Sequence, residues 1–226
     1  MTDPPARKLL DEQLAYYRAR AKEYDESVLQ SGSNANPGIP GAEAEWQHIV
    51  EAVHALHPVE RTLELACGTG LWTQELLPIS RSILALDGAP EMLAVNRAKL
   101  NSSKVSYQQA DLFTWQPAES YDLVFAAFWL SHVPPALLPA HLKQVARAVG
   151  PGGRVVLVDE PAGGAQLSGP VEGEGQQTRA LHDGSQYRII KVYHDPHALA
   201  DELRKHGIVS EIWAGEYFFY LNGVLE

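Results

Sequence analysis

The stretch Arg61-Thr62-Leu63-Glu64-Leu65-Ala66-Cys67-Gly68-Thr69-Gly70 decides how the rest of the chain reads. It is a short apolar run that ends in glycines, and LWTQELLP (71–78) continues it in a helical pattern. A strand that passes through glycines into a helix brings backbone close to whatever lies at the turn, because glycine has no Cβ. The helix start adds N–H groups with no partner inside the helix.

Working outward, the same alternation repeats. RSILALD (81–87) is a short apolar run ending in an acid, and 89–100 is helical, with Pro90 suited to a first turn. KVSYQQAD (104–111) alternates as a strand. YDLVFAAFWL (121–130) is continuously apolar, as a strand covered on both faces must be. A helix over 135–150 and a strand over 151–160 follow. This βαβαβ order predicts an α/β fold with a parallel sheet and helices on both faces. Upstream, 7–28 reads as a helix with Leu10, Leu14, Tyr17 and Tyr24 on one face, 31–41 as a surface loop, and 42–56 as a second helix with Trp46, Ile49, Val50 and Val53 inward. Downstream, 161–184 reads as a long loop or lid, 186–194 as an extra strand, and 195–207 as a helix capped by Asp195 and stopped by Gly207. The segment 208–223 reads as two strands with a tight turn near Ala214-Gly215, hence antiparallel. One domain over 1–226 results: a helical lid (1–57), a core (58–160), an insertion (161–194), and a terminal helix and hairpin (195–226).

Eighteen Lys and Arg against 28 Asp and Glu leave a net charge of −10 at pH 7, which disfavours nucleic acid as partner. A single cysteine excludes an internal disulfide or a CxxC metal cluster. No apolar run approaches the ~20 residues of a membrane span, and the charged N-terminus shows no secretory signal. The expectation is an acidic cytoplasmic protein, monomer or homodimer, with no membrane partner.

The glycine loop stands in the first β–α turn, and Asp87 ends the next strand, where an acid can accept from both ribose hydroxyls of a nucleoside cofactor. Asp111 ends the third strand, within reach of an adenine amino group. A dinucleotide fingerprint needs a third glycine three positions after the second, and Thr73 occupies that place. A nicotinamide-dependent oxidoreductase is therefore the alternative and not the first reading.

Leu63-Glu64-Leu65-Ala66-Cys67-Gly68-Thr69-Gly70, Asp87, Ala110-Asp111-Leu112, Tyr121-Asp122-Leu123-Val124 and Pro151-Gly152-Gly153 together resemble the motifs of a class I S-adenosylmethionine-dependent methyltransferase of the small-molecule type. The resemblance covers 61–160 and 208–221. It implies a Rossmann-like seven-stranded sheet in the order 3-2-1-4-5-7-6 with strand 7 antiparallel, S-adenosyl-L-methionine as cofactor and S-adenosyl-L-homocysteine as product. Residue by residue, it implies that Gly68 and Gly70 let the methionine part pass and that Asp87 takes the ribose. It places Met92 on the adenine face, Asp111 and Leu112 on the adenine edge, and Phe128 near the sulfonium. Trp72 and Thr73 would touch the carboxylate end. Tyr16-Tyr17-Arg18-Ala19-Arg20 resembles the lid of such enzymes, with Tyr17 and Arg20 as candidates for the cofactor carboxylate. Two readings stand for Glu64: bracing the loop, or reaching the cofactor amino group through water. Met92 and Phe128 also read as ordinary core, and Cys67 as a small buried filler.

Methyl transfer needs alignment and, for a protic acceptor, a base. His132 in FWLSHVPP (128–135), just past the fourth strand, is the candidate; its other reading is a helix cap. Trp129 either stacks on a planar acceptor or packs under the lid. His182 and Arg188 lie in the insertion that would line an acceptor pocket, and Asp159 and Glu160 either face substrate or brace that lid. Phe128-Trp129-Leu130 stands where a metal-dependent relative would carry an acid, so no catalytic metal is predicted. Neither Asn-Pro-Pro-Tyr nor Asp-Pro-Pro-Tyr follows the fourth strand, and Cys67 is misplaced for cytosine C5 chemistry. The reading is methyl transfer to oxygen or nitrogen of a small organic acceptor. A non-catalytic S-adenosylmethionine-binding regulatory protein stands as a further alternative.

Overall fold

The apolar run at 121–130 becomes a central strand in the computed structural model, which describes residues 4–25, 40–56, 58–163, 171–173 and 175–226. The end of the first expected helix (26–28), the expected loop over 31–39, His57 and positions 164–170 of the insertion lie outside the described residues. Helices α1 (Pro4–Arg20) and α2 (Pro40–His54) come first. Then follow β1 (Val59–Leu65), α3 (Leu71–Leu76), β2 (Ser80–Asp87), α4 (Pro90–Leu100), β3 (Val105–Gln109) and β4 (Tyr121–Ala127). A 3-10 turn (Leu130–His132) leads to α5 (Leu138–Ala148) and β5 (Val149–Asp159). The chain closes with β6 (Gln176–Ala180), β7 (Gln186–Ile190), α6 (Pro196–Arg204), β8 (Ile208–Ala214) and β9 (Phe219–Leu225).

The main sheet runs β3-β2-β1-β4-β5-β9-β8. Its first five strands are parallel, with Leu63 opposite Val124 and Leu84 opposite Ser106. β9 is antiparallel to both β5 and β8. This is the order and strand polarity that the methyltransferase resemblance implies. Side chains alternate between two cores with a period of two. From β4, Val124 and Ala126 join the core beneath α5 and α6, with Leu142, Val145 and Leu203. Leu123 and Phe125 join the core beneath α2 and α3, with Ile49, Val53 and Leu76. That double covering is why the strand reads as an unbroken apolar run.

Leu10, Leu14, Tyr17 and Tyr24 all border one cavity, with Leu14 39% exposed at its edge, and Gln13 and Tyr16 are buried. The insertion is more ordered than a loop: β6 pairs with β7 as a separate antiparallel hairpin, Arg179 opposite Tyr187. Tyr16, Leu181 and Ile189 form a small core between this hairpin and α1. The Asp195 cap is present, accepting from the His197 N–H at 2.9 Å. No helix among the described residues is long and apolar enough to cross a membrane.

Candidate active site

The carboxyl ends of β1, β2 and β4 open into a cavity of about 330 Å³, roofed by α1 and walled on one side by the β6–β7 hairpin. This volume falls in the usual range for a small-molecule site. Gly68, Asp87, Met92, Asp111, Leu112 and Phe128 line it, with Tyr17, Arg20, Trp129 and His132. The sequence-predicted residues therefore converge in large part on one space.

The glycine loop is held from beneath by side chains. Asp87 accepts from the Gly68 N–H at 2.9 Å and from the Ala89 N–H at 2.8 Å. Burial pushes its carboxyl up to about 6, and those N–H groups oppose the rise. Gly68 has φ +51° and nothing within 4 Å of where a Cβ would stand, so it presents bare backbone to the cavity. Gly70 has φ +91°, and a Cβ there would lie 2.6 Å from the Asn96 side chain. Asn96 accepts from Tyr107 Oη at 2.9 Å and donates to Thr73 Oγ1 at 2.9 Å; Thr73 Oγ1 in turn donates to Glu64 at 2.6 Å. Burial pushes Glu64 up to about 8, against the Thr73 hydrogen bond. Glu64, Gly70 and Thr73 thus belong to a network beneath the loop and do not line the cavity. Trp72 does not line it either: α3 turns it into the core, with ring centroids 4.8 Å from Trp46 and 5.1 Å from Phe125. Cys67 is buried, and burial pushes its thiol well up, which fits the filler reading.

His132 is buried with both ring nitrogens occupied. Nδ1 lies 2.7 Å from the Ile190 carbonyl oxygen, which only accepts, so Nδ1 carries the hydrogen. Nε2 is then bare and accepts from Tyr17 Oη at 2.8 Å. Burial holds His132 well below the ordinary histidine range, and the charges of Lys191, Arg179 and Arg20 add to that. Burial likewise pushes the Tyr17 phenol well up. Tyr17, the candidate for a cofactor carboxylate, lines the cavity and makes this bond to His132. Arg20 remains at the cavity, its guanidinium over the rings of Tyr24 (4.6 Å) and Tyr16 (5.5 Å). Gln13 ties the roof down, donating to the His132 carbonyl at 3.2 Å and accepting from the Ile190 N–H at 2.9 Å.

The remaining assignments divide. Met92 is buried beside Ala21 and Ala89, under Tyr17 and Tyr24. Asp111 accepts from the Phe113 N–H at 3.0 Å and faces Arg7 at 3.6 Å. Phe128 has φ +53°, which swings the chain out of β4, and its ring stacks on Trp46 at 6.0 Å. Trp129 Nε1 donates to His141 at 2.9 Å. His182 and Arg188 are not at the cavity: His182 is exposed and pairs with Glu23 at 3.2 Å, and Arg188 pairs with Glu12 at 2.8 Å. Strand alternation in β7 buries Ile189 on the cavity side and so turns Arg188 away. Asp159 and Glu160 brace the hairpin exit by holding buried Lys191, with Glu160 at 2.6 Å and Asp159 at 4.0 Å. Asn96, Arg179 and Lys191 went unrecognised in the sequence. Asn96 alone left a signal, a polar residue at an inward position of a helix. Among the described residues no group of three or more His, Cys, Asp or Glu is placed to hold a metal.

The chain resembles known proteins in both sequence and fold. Residues 62–153 match the family model described as a methyltransferase domain. A solved structure described as a DhpI-SAM-HEP complex is 34% identical, with 99% of each chain covered and a TM-score of 0.82. A DhpI-SAH complex is also 34% identical, covering 95% of this chain and 96% of the other at a TM-score of 0.77. Among curated relatives, "probable thiol methyltransferase 2" of Arabidopsis thaliana is 28% identical over 125 residues, 52% of this chain and 54% of that one. The chain thus spans about half the length of the first curated relatives it matches.

Proposed function

Because the chain belongs to the class I S-adenosylmethionine-dependent methyltransferases, we propose that it carries a methyl group from S-adenosylmethionine to oxygen or nitrogen of a small organic acceptor. One observation carries this reading: a single cavity runs from Asp111, Asp87 and Gly68 past Phe128 to His132. The residues present fit the cofactor. The open face of Gly68 leaves room for a ligand against the loop, and the Asp87 oxygens retain lone pairs for ribose hydroxyls. Met92 and Leu112 would offer apolar surface to adenine, Asp111 would contact its edge, and Phe128 would flank the sulfonium. When bound, S-adenosylmethionine supplies an electrophilic methyl on a sulfonium and leaves as S-adenosylhomocysteine.

His132 is the base in this reading, acting through Tyr17. An acceptor O–H or N–H set against Tyr17 gives its proton to Tyr17 Oη while the Tyr17 proton passes to His132 Nε2. The Nδ1–H bond to Ile190 keeps Nε2 aimed at Tyr17 throughout. The α1 residues that roof the cavity shield the developing charges from water.

The test uses methyl-labelled S-adenosylmethionine with phenols, heteroaromatic N–H compounds and carboxylates. Wild type should label at least one class. His132→Gln should turn over about 100-fold more slowly with unchanged S-adenosylhomocysteine affinity. Wild-type turnover in that variant removes the base. Tight S-adenosylhomocysteine binding with no labelled acceptor favours the regulatory reading instead.

A further inference from the structure

We propose that the cavity wall formed by the β6–β7 hairpin is an oxyanion anchor for the methyl acceptor, with the Arg179 guanidinium as its principal contact. The inference rests on the reading of the cavity as a methyl-transfer site. It identifies the acceptor as a small molecule bearing a carboxylate, phosphonate or phosphate group.

Arg179 stands on β6 opposite Tyr187 and lines the cavity. Its Nε is buried with no acceptor, and it makes no ion pair among the described residues. The other cations nearby are compensated. Arg188 has Glu12 at 2.8 Å, Lys191 has Glu160 at 2.6 Å, and Arg7 has Asp11 at 3.2 Å. A partly buried guanidinium without a counter-charge carries a desolvation cost that an anion in the cavity would offset.

The cavity acids cannot serve. Asp87 turns each oxygen to a backbone N–H beneath the glycine loop, Asp111 faces Arg7, and neither pairs with Arg179. On the Arg179 side, tyrosines line the junction with α1 and supply hydroxyls without charge. Arg179, Arg20 and Lys191 together place a positive potential on His132. An anion there offsets that potential and eases proton arrival at Nε2. The planar fork of an arginine matches the two oxygens of a carboxylate or phosphonate. An acceptor so anchored has its hydroxyl or nitrogen within the same chamber as Tyr17.

Calorimetric titration of the full chain loaded with S-adenosylhomocysteine tests this, using acetate, methylphosphonate and inorganic phosphate as probes. At least one should bind wild type. Arg179→Gln should weaken that probe by about tenfold or more, and Arg179→Lys by less. Both variants should keep S-adenosylhomocysteine affinity within about twofold. The anchor is overturned if none of the probes binds wild type, or if Arg179→Gln binds as wild type does. It is also overturned if Arg179→Gln loses S-adenosylhomocysteine affinity, since the guanidinium then serves the cofactor carboxylate. Failure of wild type to bind S-adenosylhomocysteine defeats the methyltransferase reading itself. Probe binding to the cofactor-free chain, lost in Arg179→Gln, would then support the anchor on its own.

Discussion

Replacing Asp87 by asparagine separates the cofactor-binding role of this residue from its structural one. The carboxylate accepts Gly68 N–H at 2.9 Å and Ala89 N–H at 2.8 Å, and burial raises it to about 6. Ribose hydroxyls would donate to the same oxygens. A hydrogen bond to a charged acceptor is worth about 1 kcal/mol more than one to a neutral amide. Two of them give about 2 kcal/mol, or about 30-fold in affinity at neutral pH. The pH dependence carries a sign. Below about 6 the wild-type carboxyl protonates, so S-adenosylhomocysteine affinity should fall by about tenfold at pH 5 relative to its plateau. Asp87→Asn should be weaker but flat with pH. Stability moves the opposite way. A carboxyl raised in the folded state holds its proton where the unfolded chain has released it. Its contribution is therefore present at low pH and lost as pH rises from about 4 to about 6. Asparagine should flatten that decline. Calorimetry from pH 5 to 8 and denaturant unfolding over the same range read both effects. Wild-type affinity that is flat from pH 5 to 7, or an equal slope in the asparagine variant, refutes the reasoning.

Gly70→Ala forces a left-handed φ on alanine and drives a Cβ against Asn96; unfolding in urea should show a loss of about 2–4 kcal/mol. Glu64, raised to about 8, is protonated at pH 7, so Glu64→Gln should leave S-adenosylhomocysteine affinity nearly unchanged. The same change should flatten a fall in stability between about pH 4.5 and about pH 8, measured by thermal melting. Tyr17→Phe removes the donor to His132 Nε2 and should slow methyl transfer by about tenfold or more in single-turnover assays, with S-adenosylhomocysteine affinity retained.

The sheet was legible because its physics is periodic. Val124 and Ala126 face one core and Leu123 and Phe125 the other, so β4 had to be apolar throughout. Gly68, Gly70 and Asp87 were legible because a strand–glycine–helix turn followed by an acid is a local pattern. What failed was decided by packing between distant segments. Tyr17 and His132 lie 115 residues apart, and nothing in either neighbourhood announces their bond. β6 was missed because Gln176-Gln177-Thr178-Arg179-Ala180 has no apolar alternation; it pairs with β7, and the small core against α1 is filled by Leu181 and by Ile189 of β7. Trp72 was drawn toward the cofactor by its closeness to Gly70 in sequence, whereas the first turn of α3 rotates it into the core. Arg188 was assigned to the pocket by its place in the insertion, and only strand pairing shows that Arg179 lines the cavity instead.

The central claim is that the cavity beneath α1 holds the methyl donor with its reacting end toward His132. A crystal structure of the full chain with S-adenosylhomocysteine tests it directly. The account predicts the ribose hydroxyls on Asp87, the adenine between Met92 and Leu112, and the sulfur beside Phe128 on the side of Tyr17 and His132. A ribose away from Asp87, or a sulfur pointing away from the Tyr17–His132 pair, would contradict it.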